Sequence, residues 1–195
     1  MAFVESAMLP LGTPAPYFDL LDTVSGKSVS LGALQSEIAT VVVFSCNHCP
    51  YVLHINSAWV ALAKTYQAQG VSFVAISSND ITCYPQDAPE RMTALAAAVG
   101  YPFPYLYDAT QAVAKAYSAT CTPDFFVFDG SLHLAYRGQF CASRPSNGLP
   151  VTGNDLCAAL DNIIGGFPVA EPQRPSGGCG IKWRIDDVAA AKERV

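Results

Sequence analysis

The order of apolar and polar positions predicts an α/β fold for most of this 195-residue chain. A mainly apolar run, Ala39 to Phe44, is typical of a strand buried on both faces. Apolar residues then recur at intervals of three and four between positions 52 and 66, which predicts a helix ending near Gly70. Val71 to Ile76 predicts a second buried strand. Residues 41–76 therefore have the length expected of a right-handed parallel crossover.

Turn signals divide the rest of the chain into shorter elements. Residues 17–21 and 28–31 predict a β-hairpin ahead of the main fold. Residues 124–128 and 132–137 predict another, because the Asp129-Gly130 pair between them suits the positive φ angles of a tight turn. Residues 101–107 read as a short strand or a loop. Further helices are expected at 32–37 (one or two turns), 90–99, 110–118, 155–164 (opened by Thr152 or Asn154) and 186–194.

Antiparallel strands that follow a parallel unit indicate a central mixed sheet flanked by helices. The chain length suits one domain. We expect that domain to occupy residues 1–166, with an irregular N-terminal stretch over residues 1–16. Residues 167–195, rich in Pro and Gly up to Gly180, are expected to be a C-terminal extension packed on the same domain.

Composition and charge narrow the possible partners. The net charge is −5 and the basic residues are scattered, so the sequence predicts no nucleic-acid surface. About half of the residues are apolar, but no uninterrupted run approaches the roughly 20 residues of a membrane span, so no membrane partner is expected. Residues 1–6 lack the basic and apolar pattern of a secretory signal, which favours a cytoplasmic location.

Seven cysteines are spread through long globular segments, a pattern unlike a disulfide scaffold. In a reducing compartment most of them are expected to be free thiols. Only one pair has a spacing that suggests chemistry. The seven are Cys46, Cys49, Cys83, Cys121, Cys141, Cys157 and Cys179.

Cys46 and Cys49 lie between a buried strand and an amphipathic helix, a more specific redox signal than two cysteines with this spacing alone. Pro50 fits the first turn of a helix, and we expect the helix to begin near Asn47. Its positive end would then stabilise the Cys46 thiolate. This predicts thiol–disulfide exchange in which Cys46, exposed and acidic, is the nucleophile and Cys49 resolves the mixed disulfide.

Three other interpretations of the pair are open. A zinc site requires four ligands, and the sequence has no second cysteine pair of this spacing and no paired histidines, so no metal site is predicted. Cu(I) transfer by Cys46, Cys49 and a histidine is chemically reasonable, since thiolates suit that ion. The third interpretation is that the cysteines are purely structural. No cofactor is expected.

His48 stands between the two cysteines. When protonated, its imidazolium would stabilise the Cys46 thiolate and make the disulfide more oxidising. The alternative is an exposed, solvated histidine. His54 and His133 are expected to have no chemical role.

The chain resembles the thioredoxin superfamily, and most closely its redoxin branch, which includes alkyl hydroperoxide reductases and thiol-specific antioxidants. The resemblance spans roughly residues 10–165. Three stretches carry it: Gly12-Thr-Pro-Ala-Pro-Tyr-Phe-Asp-Leu20, Cys46-Asn-His-Cys-Pro50 and Thr122-Pro-Asp-Phe-Phe-Val-Phe-Asp129.

The resemblance implies a thioredoxin-like fold and a cis bond between Thr122 and Pro123, in a loop that faces the cysteine pair. It also implies that the backbone before the proline pairs with an incoming peptide. Thr122 and Pro123 are therefore expected to bind substrate. Protein or small-molecule disulfides, a thiol electron donor of unknown identity and peroxides are the implied partners.

Two features depart from the family. Thr40 stands six residues before Cys46, where thioredoxins carry a buried aspartate. Peroxiredoxins have the pattern PxxxTxxC, but counting back from Cys49 gives Cys46 and Val42, and counting back from Cys46 gives Val43 and Ala39. Neither cysteine fits this pattern. Two alternative functions stay open: a peroxiredoxin-like thiol peroxidase, and a non-catalytic copper-binding or protein-binding module on the same fold.

The tail contains Gly178-Cys179-Gly180-Ile181-Lys182-Trp183, a motif similar to one in a narrower group of thioredoxin-like proteins. Flanking glycines would let Cys179 approach the active site, which makes it a candidate third redox cysteine. A packed tail that happens to contain a thiol is the alternative. Cys83 and Cys121 are expected near the same edge of the sheet, as core or loop residues.

Overall fold

A computed structural model describes residues 3–184. The strands are β1 Phe3–Glu5, β2 Asp19–Asp22, β3 Ser28–Ser30, β4 Ala39–Phe44, β5 Ser72–Ser77, β6 Tyr105–Tyr107, β7 Cys121–Thr122, β8 Asp124–Asp129, β9 Leu134–Gly138 and β10 Gly177–Gly180. The helices are α1 Leu31–Leu34, α2 Pro50–Gln67, α3 Pro89–Val99, α4 Ala112–Ala116 and α5 Asn154–Ile164, with a 3-10 turn at Pro85–Asp87. The helix predicted at 186–194 lies outside the described residues.

The central sheet has seven strands in the order β3-β2-β6-β5-β4-β8-β9. β4 pairs in parallel with β5, and β5 with β6, whereas β8 runs antiparallel to β4. The predicted mixed sheet and the 41–76 crossover are therefore confirmed. The N-terminal hairpin, β2 with β3, is not separate from the main fold, because β2 also pairs with β6.

Alternate residues of the central strands pack into two apolar cores, one on each face of the sheet. Val41 and Val43 of β4 pack with α2, α3 and α5, while Val42 and Phe44 pack with α1 and α4. β4, which is buried on both faces, is accordingly apolar at every position except Thr40. The carboxyl ends of β4 and β5 meet at one edge, where the chain after β4 carries Cys46 and Cys49.

The predicted start of α2 near Asn47 is wrong, because the helix begins at Pro50. A residue before proline is driven out of the α region by a clash with the proline ring, and Cys49 accordingly has φ −70° and ψ 121°. Cys49 is therefore the N-cap of an 18-residue helix. Cys46 lies in the loop before the helix, four residues ahead of Pro50.

The second hairpin forms with a tight turn at Asp129-Gly130, closed by the Leu132 N–H donating to the Asp129 carbonyl at 2.9 Å, but neither residue of the pair has the predicted positive φ. Asp129 Oδ1 also accepts hydrogen bonds from the backbone N–H groups of Ser131 and His133, both at 2.9 Å. The positive φ falls on Leu132, at 58°. Gly130 serves close packing, since a Cβ there would lie 2.1 Å from the carbonyl oxygen of Glu37.

Both ends of the described chain contribute to a small sheet that the sequence did not indicate. Its order is β1-β10-β7, and all pairs are antiparallel. β10 places Cys179 opposite Phe3 on one side and opposite Thr122 on the other. The tail strand was missed because glycine, three of its four residues, disfavours strands. Among residues 3–184, no helix has both the length and the hydropathy to cross a bilayer.

Asp124, at the start of β8, is buried within this region. Neither carboxylate oxygen has a well-formed hydrogen bond from the described residues, although Ser6 and Ser176 lie nearby. Desolvation by burial is the main cause that raises the pKa of Asp124 to about 7. The folded protein therefore binds the Asp124 proton more tightly than the unfolded chain does.

Asp124→Asn should remove this pH dependence. In the wild-type protein the stabilising effect of protonated Asp124 is fully present below about pH 4 and is lost as the pH rises through 7. A pKa shift of this size corresponds to at most about 4 kcal/mol. We expect the variant to be more stable than wild type at pH 8 but not at pH 4, measured by urea unfolding at both values. Equal stability at pH 8 would contradict the assignment.

Candidate active site

Four residues singled out in the sequence come together at the carboxyl edge of β4. Cys46, Cys49 and Cys179 form a buried cluster with Val52 of α2, and at most 3% of any of the three cysteines is exposed. Thr122, from the end of β7, approaches both members of the pair. Its Oγ1 lies 3.5 Å from Cys46 Sγ, and its carbonyl oxygen lies 3.1 Å from Cys49 Sγ.

The sulfur of Cys49 is where most hydrogen-bond donors converge. Cys49 is the N-cap of α2, and the groups that lower its pKa are the thiols of Cys46 and Cys179, the hydroxyl of Thr122 and the backbone N–H of Val52. The hydrogen bond from Cys46 is the largest contribution, and together these donors lower the pKa of Cys49 to about 5 despite its burial. Burial opposes ionisation, and so does the Thr122 carbonyl oxygen 3.1 Å away, which accepts a hydrogen bond from the protonated thiol. We assign the thiolate to Cys49.

Cys46 has the opposite character. Its hydrogen bond to Cys49, its burial and the negative charge of Asp87 all raise its pKa. The expectation that Cys46 is the exposed and acidic member of the pair is therefore contradicted. The cause is the position of Pro50, which moves the helix terminus from the first cysteine to the second.

His48 faces Asp87 across a short contact, with His48 Nδ1 2.7 Å from Asp87 Oδ2. Its ring also stacks on Tyr84, with the centroids 5.5 Å apart and the planes 8° from parallel. The ring is mostly covered, with 15% of its side chain exposed. His48 is thus not an exposed, solvated residue. Its imidazole lies beside Asp87, the carboxylate whose negative charge raises the pKa of Cys46.

Asp87 is the site residue that the sequence did not reveal. It is fully buried in the 3-10 turn and accepts 2.8 Å hydrogen bonds from the backbone N–H of Asn47 and from Asn79 Nδ2. These contacts hold the loop that carries Cys46. Asp87 lies in a polar loop with no periodicity, and only the fold brings it to the cysteines, 38 residues or more away in sequence.

Cys46, His48 and Asp87 also offer ligand atoms within 4.8 Å of one another. His48 Nδ1 and Asp87 Oδ2 lie 2.7 Å apart, within the range of a direct contact between the two side chains. A tetrahedral zinc site would need a fourth ligand besides these three groups.

The profile of the AhpC/TSA family matches residues 11–137. The chain belongs to this family. Comparison with curated proteins gave no significant match.

Solved structures include two close relatives of this AhpC/TSA protein. An uncharacterized conserved protein from Geobacillus kaustophilus is 55% identical, with 95% of this chain and 98% of that chain covered and a TM-score of 0.94. A hypothetical protein from Sinorhizobium meliloti is 46% identical, with 93% and 98% covered and a TM-score of 0.91. A thiol:disulfide interchange protein of the thioredoxin family from Chlorobium tepidum is 22% identical, with 81% and 99% covered and a TM-score of 0.61. The thioredoxin-like fold is thereby confirmed, and the family supports a redox-type function.

The Thr122-Pro123 bond is cis, as the resemblance implied. The strand edge of Thr122, in contrast, is already filled in this AhpC/TSA protein, because β10 pairs there with Cys179 opposite Thr122. An incoming peptide cannot pair with Thr122 while β10 is in place. The side chain of Thr122 instead contacts the two cysteine sulfurs.

Cys46→Ala should raise the pKa of Cys49, since it removes the strongest donor to the thiolate. A hydrogen bond to a charged group contributes about 1.5–3 kcal/mol, which corresponds to about one to two pKa units. The pKa is to be read from the ultraviolet absorbance of the thiolate over a pH titration. Cys157→Ala, which alters a thiol outside the cluster, is the matched control and should leave the titration unchanged. An unaltered Cys49 titration in Cys46→Ala would refute the assignment.

His48→Ala should raise the pKa of Cys46 further, because the charge of Asp87 then acts without its partner. The pH dependence of Cys46 alkylation, followed by mass spectrometry of the Cys46 peptide in a Cys49→Ser background, measures this. His54→Ala is the control, since His54 hydrogen-bonds Ser143 instead. A Cys46 titration that His48→Ala leaves unchanged would exclude the tuning role of His48.

Proposed function

We propose that this protein is a thiol–disulfide oxidoreductase that uses the Cys46/Cys49 dithiol. The observation that carries the proposal is the buried Cys49 sulfur at the N-terminus of α2, with a second thiol donating to it. A low-pKa thiol beside a second cysteine is the arrangement that thiol–disulfide exchange requires. Membership of a redox family supports the same class of reaction.

In this proposal the roles of the two cysteines are the reverse of those expected from the sequence. The Cys49 thiolate attacks a substrate disulfide RSSR′, forms the mixed disulfide Cys49–S–SR and releases R′S⁻. Cys46 then loses its proton to a departing thiolate and attacks the Cys49 sulfur, so that the Cys46–Cys49 disulfide forms and RSH leaves. The dithiol loses two electrons and RSSR′ gains them. A thiol donor of unknown identity would restore the dithiol.

The high pKa of Cys46 suits the resolving role. While Cys49 is a thiolate, Cys46 stays protonated because it donates to that sulfur. Once Cys49 is in a mixed disulfide, its negative charge is gone and this contribution to the Cys46 pKa disappears. The second thiol thus becomes easier to ionise only after the first has reacted.

Substrate access requires a local opening, since at most 1% of either cysteine is exposed. β10 occupies the strand edge at Thr122, so small disulfides fit this closed arrangement better than an extended polypeptide does. We propose small-molecule disulfides as the first substrates to test. Protein disulfides would react only after β10 is displaced.

A second candidate is a thiol peroxidase that uses the same Cys49. The Thr of the peroxiredoxin pattern, three residues before the reactive cysteine, is absent here, because Cys46 occupies that position before Cys49. The hydroxyl of Thr122 is nevertheless present beside both sulfurs, delivered from a different part of the chain. A peroxide would convert the thiolate to a sulfenic acid, and Cys46 would then close the disulfide with release of water.

Cys49→Ser should abolish both reactions, and Cys46→Ser should lower turnover, because it removes the proposed resolving thiol. The assays are reduction of oxidised glutathione, reduction of insulin and consumption of hydrogen peroxide, each driven by dithiothreitol. Cys83→Ser, which changes an exposed cysteine, is the control and should match wild type. Turnover of glutathione and insulin without peroxide consumption supports the oxidoreductase, and the opposite result supports the peroxidase. Full activity of Cys49→Ser in all assays would overturn both.

A further inference from the structure

Cys49 has two neighbouring thiols, and the proposed function uses only one of them. The Cys179 side chain belongs to the same buried cluster as Cys46 and Cys49, is 3% exposed, and contributes to lowering the pKa of Cys49. Its burial is the main cause that raises its pKa to about 12, so it is protonated beside the Cys49 thiolate. Both thiols are therefore placed to attack Cys49 once that residue carries a leaving group.

The composition of β10 explains how Cys179 comes so close. A Cβ at position 178 would lie 2.0 Å from the carbonyl oxygen of Thr122, and one at 177 would lie 2.5 Å from the ring of Phe3. Only glycine permits this approach at 178. Glycines weaken a strand and are found where another backbone must approach closely. The result in β10 is a cysteine held against Cys49.

Hydrogen bonds at both ends hold β10 in place. On one side Ser6 N–H donates to the Ser176 carbonyl at 2.9 Å. On the other side Asp80 N–H donates to the Lys182 carbonyl at 2.9 Å, and Lys182 N–H donates to Asn79 Oδ1 at 2.8 Å. The position of Cys179 is therefore determined by several parts of the fold.

We propose that Cys179 is a third redox-active cysteine that resolves adducts on Cys49 by forming a Cys49–Cys179 disulfide. The proposal rests on the proposed function, because Cys49 must first react with a disulfide. In Cys49–S–SR, the Cys179 sulfur loses its proton and attacks the Cys49 sulfur. The Cys49–Cys179 bond forms, the bond to SR breaks, and RSH leaves with the proton. Cys46 and Cys179 are then alternative partners of one nucleophile.

The test removes Cys46 and asks whether Cys179 replaces it. Reduced wild type, Cys46→Ser, Cys46→Ser/Cys179→Ser and Cys46→Ser/Cys121→Ser are each treated with one equivalent of oxidised glutathione. Intact mass and peptide mapping then identify every disulfide. Cys121 is the matched control, because it is buried in β7 and lies close enough to Cys49 for the charge of that thiolate to raise its pKa. Circular dichroism establishes that each variant is folded.

We expect Cys46→Ser to release its glutathione and to yield the Cys49–Cys179 disulfide, as should the variant that also lacks Cys121. Cys46→Ser/Cys179→Ser should keep glutathione on Cys49. If Cys46→Ser also keeps it, with Cys179 free, while wild type forms Cys46–Cys49, the role of Cys179 is overturned and the proposed function stands. If Cys49 forms no disulfide in wild type, both are overturned.

A second variant tests the placement without changing a thiol. Gly178→Ala should displace β10 from Thr122, because the added methyl group meets backbone. In the Cys46→Ser background it should abolish the Cys49–Cys179 disulfide, whereas with Cys46 present the Cys46–Cys49 disulfide should still form. An unaffected Cys49–Cys179 disulfide in Gly178→Ala would contradict the part assigned to β10.

Discussion

A buried negative charge is stable only where donors surround it, and the sulfur of Cys49 receives its donors from three separate parts of the chain. Helix α2 supplies a backbone N–H, the loop after β4 supplies the Cys46 thiol, and β10 supplies the Cys179 thiol. The cis-proline segment adds the Thr122 hydroxyl. The convergence of these elements on one atom relates the fold to the proposed chemistry.

This arrangement separates acidity from exposure. A redox cysteine is usually expected at the surface, but Cys49 is fully buried and its pKa is nevertheless low. Burial alone would raise that pKa, so the donors more than offset desolvation. An exposed thiolate would be open to oxidation by any passing peroxide. A buried thiolate reacts only with molecules that are small enough to reach it or that displace the residues packed over it.

The C-terminal strand gives the site a second unusual feature. In the implied family pattern, the edge at Thr122 receives a peptide from outside, whereas here the chain supplies its own strand. That strand is rich in glycine, so it gains little from side-chain packing and depends on backbone hydrogen bonds and on its two anchored ends. Such a segment suits a residue that must be held close to another backbone. It is also the part of the site that substrates would have to displace.

The sequence by itself determined the buried strands, the amphipathic α2, the mixed sheet and the cysteine pair, since each depends on local periodicity or spacing. It also contained the feature on which the proposed reversal of roles depends, because the clash that keeps Cys49 out of the helix arises from its neighbour Pro50. Asp87, the filled edge at Thr122 and the approach of Cys179 were decided only by the tertiary structure. These contacts join residues from about 40 to more than 120 positions apart, and no local pattern in a polar loop or a glycine-rich tail specifies such partners.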